Sequence, residues 1–523
     1  MSRPRLLVSG DGNRYVTEGA RNVNIADQLG ASAVRLADKP ALLFQDQRIT
    51  YGELDARVDR AAAAFQSLGL APRDRVALMI GNAPHFVEAF YGALRAGLTV
   101  VPINVAFTAD EVAYLLADSG ARAVVVGEAH AGVLHGVSET LPALDQTIVA
   151  GASSASAGTR TWRGLCKAAG EPSAVDVAED AVALLQYTSG TMGKPKGAML
   201  THANLLANHA QMERTRLRIE EGDVVLCVLP LFHIYALNVG MAFTLARGAT
   251  LLLVERFDAL QSLDDIAHHR ASVVLGAPPM YVAWVNTPGV EDHDLASVRF
   301  AVSGAAPLPR TVLERFRADL GIPIWEGYGL TETSPVLTSM AMGDEVVPGS
   351  VGRPLPDVEL RVVDDHGQPV SEGDPGEVLV RGPNVFIGYW NDERATKEVL
   401  DDDGWFSTGD VGYTDDGYLY LVDRKRDLII VSGFNVYPRE VEEVLYRHPK
   451  VAEAAVVGTP HPYTGESVKA VVVLRGGEEA TAEELIDFCR RSLARFKAPE
   501  VVRFVDELPH NPSGKVLRRE LRA

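Results

Sequence analysis

The stretch Tyr187-Thr-Ser-Gly-Thr-Met-Gly-Lys-Pro-Lys-Gly197, directly after the apolar run Ala181 to Leu185, carries residue types suited to a polyphosphate. Gly190, Gly193 and Gly197 let successive backbone N–H groups turn toward one anion. Thr188, Ser189 and Thr191 add hydroxyl donors, and Lys194 and Lys196 supply charge. It is not a Walker A loop, because Thr188 stands where that pattern needs its first Gly and Pro195 follows Lys194. Composition alone also fits an ordinary surface loop. The order of the residues is the more specific feature.

Five further stretches have side chains that could do chemistry. Pro230-Leu-Phe-His-Ile234 puts His233 just after a predicted strand, where a parallel fold faces its ligand crevice, although a His among apolar residues is more often packed in a core. Ser303-Gly-Ala-Ala-Pro307 permits a flat ring to approach the backbone, or serves as a tight strand-to-helix turn. Glu326-Gly-Tyr-Gly-Leu-Thr-Glu-Thr333 combines an aromatic able to stack on a base with a hydroxyl and a carboxylate, the hard oxygens that Mg²⁺ takes alongside phosphates. Trp405-Phe-Ser-Thr-Gly-Asp410 ends in a carboxylate able to accept both hydroxyls of a ribose, or in a plain turn Asp. Near the end, Asn511-Pro-Ser-Gly-Lys-Val-Leu-Arg-Arg519 sets Lys515 on a turn, where an ammonium can neutralise charge developing between a carboxylate and a phosphate.

The elements that must position these residues follow from periodicity. The segment Thr50 to Phe65 has Leu54, Val58, Ala62 and Phe65 on one stripe and reads as a helix. Strand-like Arg75 to Ile80, Thr99 to Ile103 and Ala123 to Val126 alternate with helical His85 to Ala96 and Ala109 to Ser119, which implies βαβ units on a buried parallel sheet. After a Gly/Ala/Ser-rich loop near Ala150, Val224 to Leu229, Thr250 to Val254, Ser272 to Leu275 and Arg299 to Val302 predict a second α/β layer, with a helix over Leu308 to Leu320 that Gly321 ends. From about 349 to 422 short β segments alternate with turns such as Asp365-His-Gly and Asp415-Asp-Gly, predicting an antiparallel barrel or sheet, assigned as a β-barrel subdomain. Beyond Asp427 a small α+β unit carries Pro438 in a first helical turn and the capping box Thr481-Ala-Glu-Glu484.

Composition bounds the partners. The 523 residues are 47% hydrophobic and 23% charged, enough for several compact units. A net charge of −19 argues against nucleic acid. Cys166, Cys227 and Cys489 form no C-x-x-C pair, so neither a disulfide framework nor a zinc site is expected. The first residues lack a signal-peptide core and no apolar run reaches about 18 residues, so no transmembrane segment is expected and a cytoplasmic protein is.

In order and spacing, YTSGTMGKPKG, PLFH, SGAAP, GYGLTET, STGD, DRKRDLIIVSGFNVYP and PSGKVLRR resemble the acyl-adenylate-forming superfamily across the whole chain, and the fatty acyl-CoA synthetase type in particular. The resemblance implies an enzyme that attacks ATP with a carboxylate to give acyl-AMP and then passes the acyl group to a thiol. It implies Mg²⁺ as cofactor, ATP and coenzyme A as co-substrates, and a place in lipid metabolism. By resemblance, Thr188, Ser189, Gly190, Thr191, Gly193, Lys194 and Lys196 hold the phosphates, and Ala305, Gly327 and Tyr328 frame adenine. Asp410 and Arg424 take the ribose, Thr331 the α-phosphate and Glu332 the metal, while Lys515 bridges carboxylate and phosphate.

His233 stands at the mouth of an acyl pocket lined by Tyr235, Asn238, Gly240, Tyr281, Gly304 and Gly329. That pocket has no Lys or Arg for a second carboxylate, which favours a medium- or long-chain fatty acid. The implied domains are 1–425 and a mobile 427–523, with a hinge at Arg426 and the loop at Gly433 serving the thiol step; relatives carry Asp or Lys at the hinge. No inserted segment of the kind that restrains fatty acyl-AMP ligases is evident, which favours coenzyme A. A fatty acyl–acyl carrier protein ligase, a catalytically silent nucleotide- or acyl-binding module and a homodimer stay open, although the intact set Lys515, Glu332, Asp410 and Lys196 argues against silence.

Overall fold

The apolar runs bounded by glycines become central strands. The structure, a computed structural model, describes residues 24–137, 141–156, 158–178, 180–188, 194–424, 427–432, 434–512 and 514–522, together with a short antiparallel pair, Leu7–Val8 with Tyr15–Val16. A seven-stranded sheet runs in the order Lys196–Thr201, Val182–Thr188, Thr99–Pro102, Arg75–Met79, Ala123–Gly127, Gln146–Ala150, Arg160–Thr161. All neighbours are parallel except the first pair. Strands such as Ala123–Gly127, nearly all Val and Ala, are buried on both faces, as parallel strands covered by helices must be.

The second layer is a nine-stranded sheet. Its centre is parallel, from Ile324–Gly329 through Phe300–Ser303, Val273–Gly276, Val224–Cys227 and Thr250–Leu253 to Pro40–Phe44. The helix Tyr51–Ser67 starts where Thr50 Oγ1 accepts from Glu53 N and the Glu53 carboxylate accepts from Thr50 N. It packs against Pro84–Arg95, and the approach is so close that a Cβ on Gly92 would lie 2.4 Å from the Ala61 methyl. The helix predicted over Leu308 to Leu320 begins at Arg310 and ends, as expected, on Gly321 at φ 70°.

Between 349 and 422 the expected antiparallel strands are present. Glu359–Val363, Gly376–Arg381, Phe406–Asp415 and Tyr418–Arg424 pair in that order, the last two through Asp416 and Gly417, both at positive φ. Its edge strands do not pair with each other among the described residues, so of the barrel or sheet expected, the described strands form an open sheet.

The C-terminal unit has its own sheet, formed by Phe434–Val436, Ile429–Val431, Gly465–Leu474 and Val451–His461, with Val501–Phe504 parallel to the third. Helices Pro438–Tyr446 and Ala482–Ser492 cover it around a core that includes Val441, Val456, Leu485 and Cys489. It touches the rest of the chain at particular places. Arg439 Nη1 donates to Leu421 O at 2.7 Å, and Gly514 lies against Ala277 and Pro279. The assigned hinge, Arg426, and the assigned loop residue Gly433 lie outside the described residues.

Candidate active site

The carboxyl ends of the parallel strands open into one cavity of about 1330 Å³. His233 follows Val224–Cys227, Gly304 and Ala305 follow Phe300–Ser303, and Tyr328 and Gly329 end Ile324–Gly329; all of them line it. Thr188, Lys196, Gly327, Thr331, Glu332 and Lys515 join them there. Residues assigned to one site from five separate motifs therefore meet in a single volume.

The Gly-rich loop leaves one strand and returns on its neighbour, Thr188 pairing with Lys196. Its residues Ser189, Gly190, Thr191 and Gly193 lie outside the described residues. Both ends are held by one helix, Ala109–Ser119: Tyr187 donates to Asp118 Oδ2 at 2.5 Å, and Tyr114 donates to Pro195 O at 3.1 Å. Burial, then the Asp118 carboxylate, pushes the Tyr187 hydroxyl far up, so it stays a donor. Lys194 is exposed with its ammonium 5.0 Å from the Tyr114 ring, and Lys196 is 5.1 Å from the ring of Tyr389.

At the end assigned to the base, Ala305 sits at φ 70°, a left-handed conformation strained for Ala. Tyr328 donates its hydroxyl to Asp410 Oδ2 at 2.6 Å. Asp410 is buried and lies behind the lining residues Thr408 and Gly409 rather than on the wall itself. Arg424 pairs with Asp410 along the backbone; its side chain is outside the described residues.

Glu332 and Thr331 stand on a short turn, Thr331–Thr333, and Tyr389 donates to Glu332 Oε1 at 2.8 Å. Among the described residues no three His, Cys, Asp or Glu side chains converge as a metal cage. Mg²⁺ needs only one or two carboxylates beside phosphate oxygens, so Glu332, lining the same cavity as Thr188, suits it.

Lys515 comes from the C-terminal unit on a turn that closes itself: Lys515 N donates to Asn511 Oδ1 at 2.8 Å and Asn511 N to Lys515 O at 2.8 Å. Across the cavity, His233 Nδ1 accepts from Tyr235 N at 3.4 Å. Desolvation by its enclosed surroundings, and then the Lys515 charge, lowers the His233 pKa to about 4, so the imidazole is neutral at pH 7.

Beyond His233 the wall turns apolar. Tyr235, Val239 and Phe243 lie four residues apart on the wide-turn helix Tyr235–Phe243 and face the cavity together. Leu275, Val302, Phe300 and Val273 from the strands, then Met212, Leu217 and Ile219, continue that wall. Three assigned pocket residues are not on it. Asn238 and Gly240 are on other sides of the same helix: Asn238 Nδ2 donates to Ser334 O, and a Cβ on Gly240 would lie 2.9 Å from Cys227 Sγ. Tyr281 is in the core beside Trp284 and Phe316, its hydroxyl donating to Val302 O at 2.8 Å. The sequence suggests one continuous lining over Ile234 to Gly240, but successive residues of a helix point to different sides, and only one side meets the cavity.

Sequence reasoning missed Tyr389, whose only signal was an aromatic in a Gly-Tyr-Trp segment, and Gln186, one position before the loop. Gln186 Oε1 and Ser303 Oγ line the cavity buried and without a partner among the described residues, ready to meet a ligand.

A family profile described as AMP-binding enzyme matches residues 29–390, and one described as AMP-binding enzyme C-terminal domain matches residues 440–515. The chain is 36% identical over 530 residues to a long-chain-fatty-acid–CoA ligase of Bacillus subtilis (strain 168), covering 96% of this chain and 94% of that one. It is 40% identical over 480 residues to a feruloyl-CoA synthase of Amycolatopsis sp, covering 91% and 93%. The crystal structure of an anthranilate CoA ligase in complex with anthranoyl-AMP superposes with a TM-score of 0.91 at 27% identity, covering 97% and 98%. The chain therefore belongs to the AMP-binding enzyme family, the acyl-adenylate-forming superfamily whose motifs its sequence carries.

Proposed function

We propose that this protein is an AMP-forming acid–thiol ligase that activates a medium- or long-chain fatty acid as acyl-AMP and transfers it to coenzyme A. One cavity joins a phosphate-suited end at Thr188, Lys196 and Glu332 to an apolar end at Phe243, Val273 and Met212, and this continuity carries the reading. The named activity of the Bacillus subtilis relative supports it.

Thr188 and Lys196 hold the β- and γ-phosphates, with Thr331 at the α-phosphate. Ala305 and Tyr328 frame adenine, and Asp410 with Arg424 orients the ribose. Mg²⁺, when bound at Glu332, offsets triphosphate charge. The substrate carboxylate oxygen bonds to the α-phosphorus as the bond to pyrophosphate breaks, and Lys515 stabilises the crowded anionic oxygens between them. The neutral His233 lets the carboxylate enter without capturing it as an ion pair. The thiol then attacks the acyl carbon and AMP leaves. Residues 1–425 and 427–523 form the two moving parts, turning at Arg426 so that Lys515 withdraws and the Gly433 loop serves the thiol. No helix among the described residues is long and apolar enough to cross a membrane.

The test is ATP-dependent pyrophosphate release over saturated fatty acids of graded length, aromatic acids, dicarboxylates and amino acids, with product masses taken with and without coenzyme A. A chain-length optimum with acyl-CoA is the expected result. Preference for an aromatic acid would overturn the fatty acyl assignment, and acyl-AMP persisting despite coenzyme A would transfer the second step to a carrier-protein thiol.

A further inference from the structure

Tyr389 stands outside every stretch that the sequence offers for nucleotide chemistry, yet it touches two of them. Its hydroxyl donates to Glu332 Oε1 at 2.8 Å, and the Lys196 ammonium lies 5.1 Å from its ring centroid. Tyr389 lines the cavity and is 9% exposed, so its polar tip and its ring face both serve the site.

Tyr389 is itself fixed by the fold. Its backbone pairs with Ala198, on the strand that begins at Lys196, while Trp390 N donates to Gly197 O at 2.7 Å and Met199 N to Gly388 O at 3.0 Å. Tyr389 N donates to Thr396 Oγ1 at 2.9 Å, and the Phe386 ring meets it edge-on at 5.0 Å. Gly388, at φ 130° against Thr396, gives the backbone the bend that aims the ring inward.

We propose that Tyr389 is the positioning residue of the metal–triphosphate end, its hydroxyl orienting the Glu332 carboxylate and its ring stationing the Lys196 ammonium. This rests on the reading of Glu332 as metal-facing and Lys196 as phosphate-facing given above. A carboxylate that holds Mg²⁺ through one or two oxygens must not swing, and a hydrogen bond to the other side of the ligand is the usual device; its loss costs 10- to 100-fold in metal affinity. The cation–π contact acts on the lysine in the same sense, holding a flexible stem in place before nucleotide arrives.

The hydroxyl and ring contributions separate experimentally. Tyr389→Phe keeps the ring and its packing, and Tyr389→Leu removes both. The affinity of a non-hydrolysable ATP analogue is measured by calorimetry with and without Mg²⁺, in the wild type, both variants, Glu332→Gln and the double variant Tyr389→Phe/Glu332→Gln. Tyr389→Phe should lose about tenfold or more of the Mg²⁺-dependent gain in affinity while affinity without Mg²⁺ stays within about twofold. Tyr389→Leu should weaken binding in both conditions. If Tyr389 acts through Glu332, adding Tyr389→Phe to Glu332→Gln changes nothing further. An unchanged Mg²⁺-dependent gain in Tyr389→Phe, or additive losses in the double variant, overturns the proposal. Conversion of supplied acyl-AMP by coenzyme A, which uses neither metal nor triphosphate, should persist in every variant. A wild type that neither releases pyrophosphate with any acid nor performs that conversion removes the ligase reading itself, separately from the role of Tyr389.

Discussion

Tyr328 and Asp410, 82 positions apart, are joined by a 2.6 Å hydrogen bond from the phenol to the carboxylate. The aromatic proposed for the base and the carboxylate proposed for the ribose are therefore one unit, and the strand Phe406–Asp415 is tied to the end of Ile324–Gly329. Tyr328→Phe leaves the buried Asp410 carboxylate short of this partner, a loss of roughly 2 kcal/mol for a bond to a charged acceptor. The Michaelis constant for ATP should rise by about tenfold or more while thiol transfer from acyl-AMP changes less. Steady-state kinetics with ATP varied would contradict this if that constant were unmoved.

Lys515→Ala should lower acyl-AMP formation by at least about 10²-fold, the usual effect of removing one preorganised stabiliser of transition-state charge. Acyl-CoA formation from supplied acyl-AMP should largely survive. A bulky residue at Gly433 should have the opposite pattern. Rapid-quench measurement of the two half-reactions separates them, and equal loss of both in Lys515→Ala would remove the role assigned to it.

His233 offers a spectroscopic report on where the C-terminal unit sits. Its pKa of about 4 reflects desolvation first and the Lys515 charge second. Removing a like charge favours the imidazolium, so Lys515→Met should raise the His233 pKa. Its NMR titration should remain below that of an exposed His, since the desolvation persists. An identical midpoint in both proteins would mean that Lys515 does not visit this cavity in solution.

Glu326 predicts a pH dependence of stability. It is buried at 2% exposure, its Oε2 accepts from Leu308 N at 3.1 Å, and Oε1 has no partner among the described residues. Burial raises its pKa to about 7, against the opposing pull of Arg439. Because an unfolded Glu titrates near 4.3, the unfolded state alone ionises between about pH 4.3 and 7. Stability from this group is thus greatest at low pH and falls through that window, by something of order 3 kcal/mol. Glu326→Gln cannot ionise, so the difference in thermal midpoint between variant and wild type should shift in the variant's favour from pH 5 to pH 8. A difference constant across that range would show that the carboxyl already ionises normally.

Local chemistry carried most of the layout. Runs such as Ala123 to Val126 could only be buried strands, Thr50 with Glu53 could only begin a helix well, and Gly321 could end one at positive φ. The ordered motifs, each a short contiguous pattern, were legible for the same reason and named the family. What the sequence could not decide was which sides of elements meet across long separations. Tyr235 faces the cavity while Asn238 and Gly240 do not, because successive positions of the helix Tyr235–Phe243 point to different sides, and which side meets the cavity is decided by how the helix packs. Tyr281 went to the core because Trp284 and Phe316 offered its ring more burial than the pocket did. The unit at 359–424 stayed an open sheet because strand pairing at its edges is a tertiary choice. Tyr389 became part of the site only when its backbone paired with Ala198 on the strand of Lys196, placing one phenol between a lysine and a carboxylate that lie far from it and from each other in the chain.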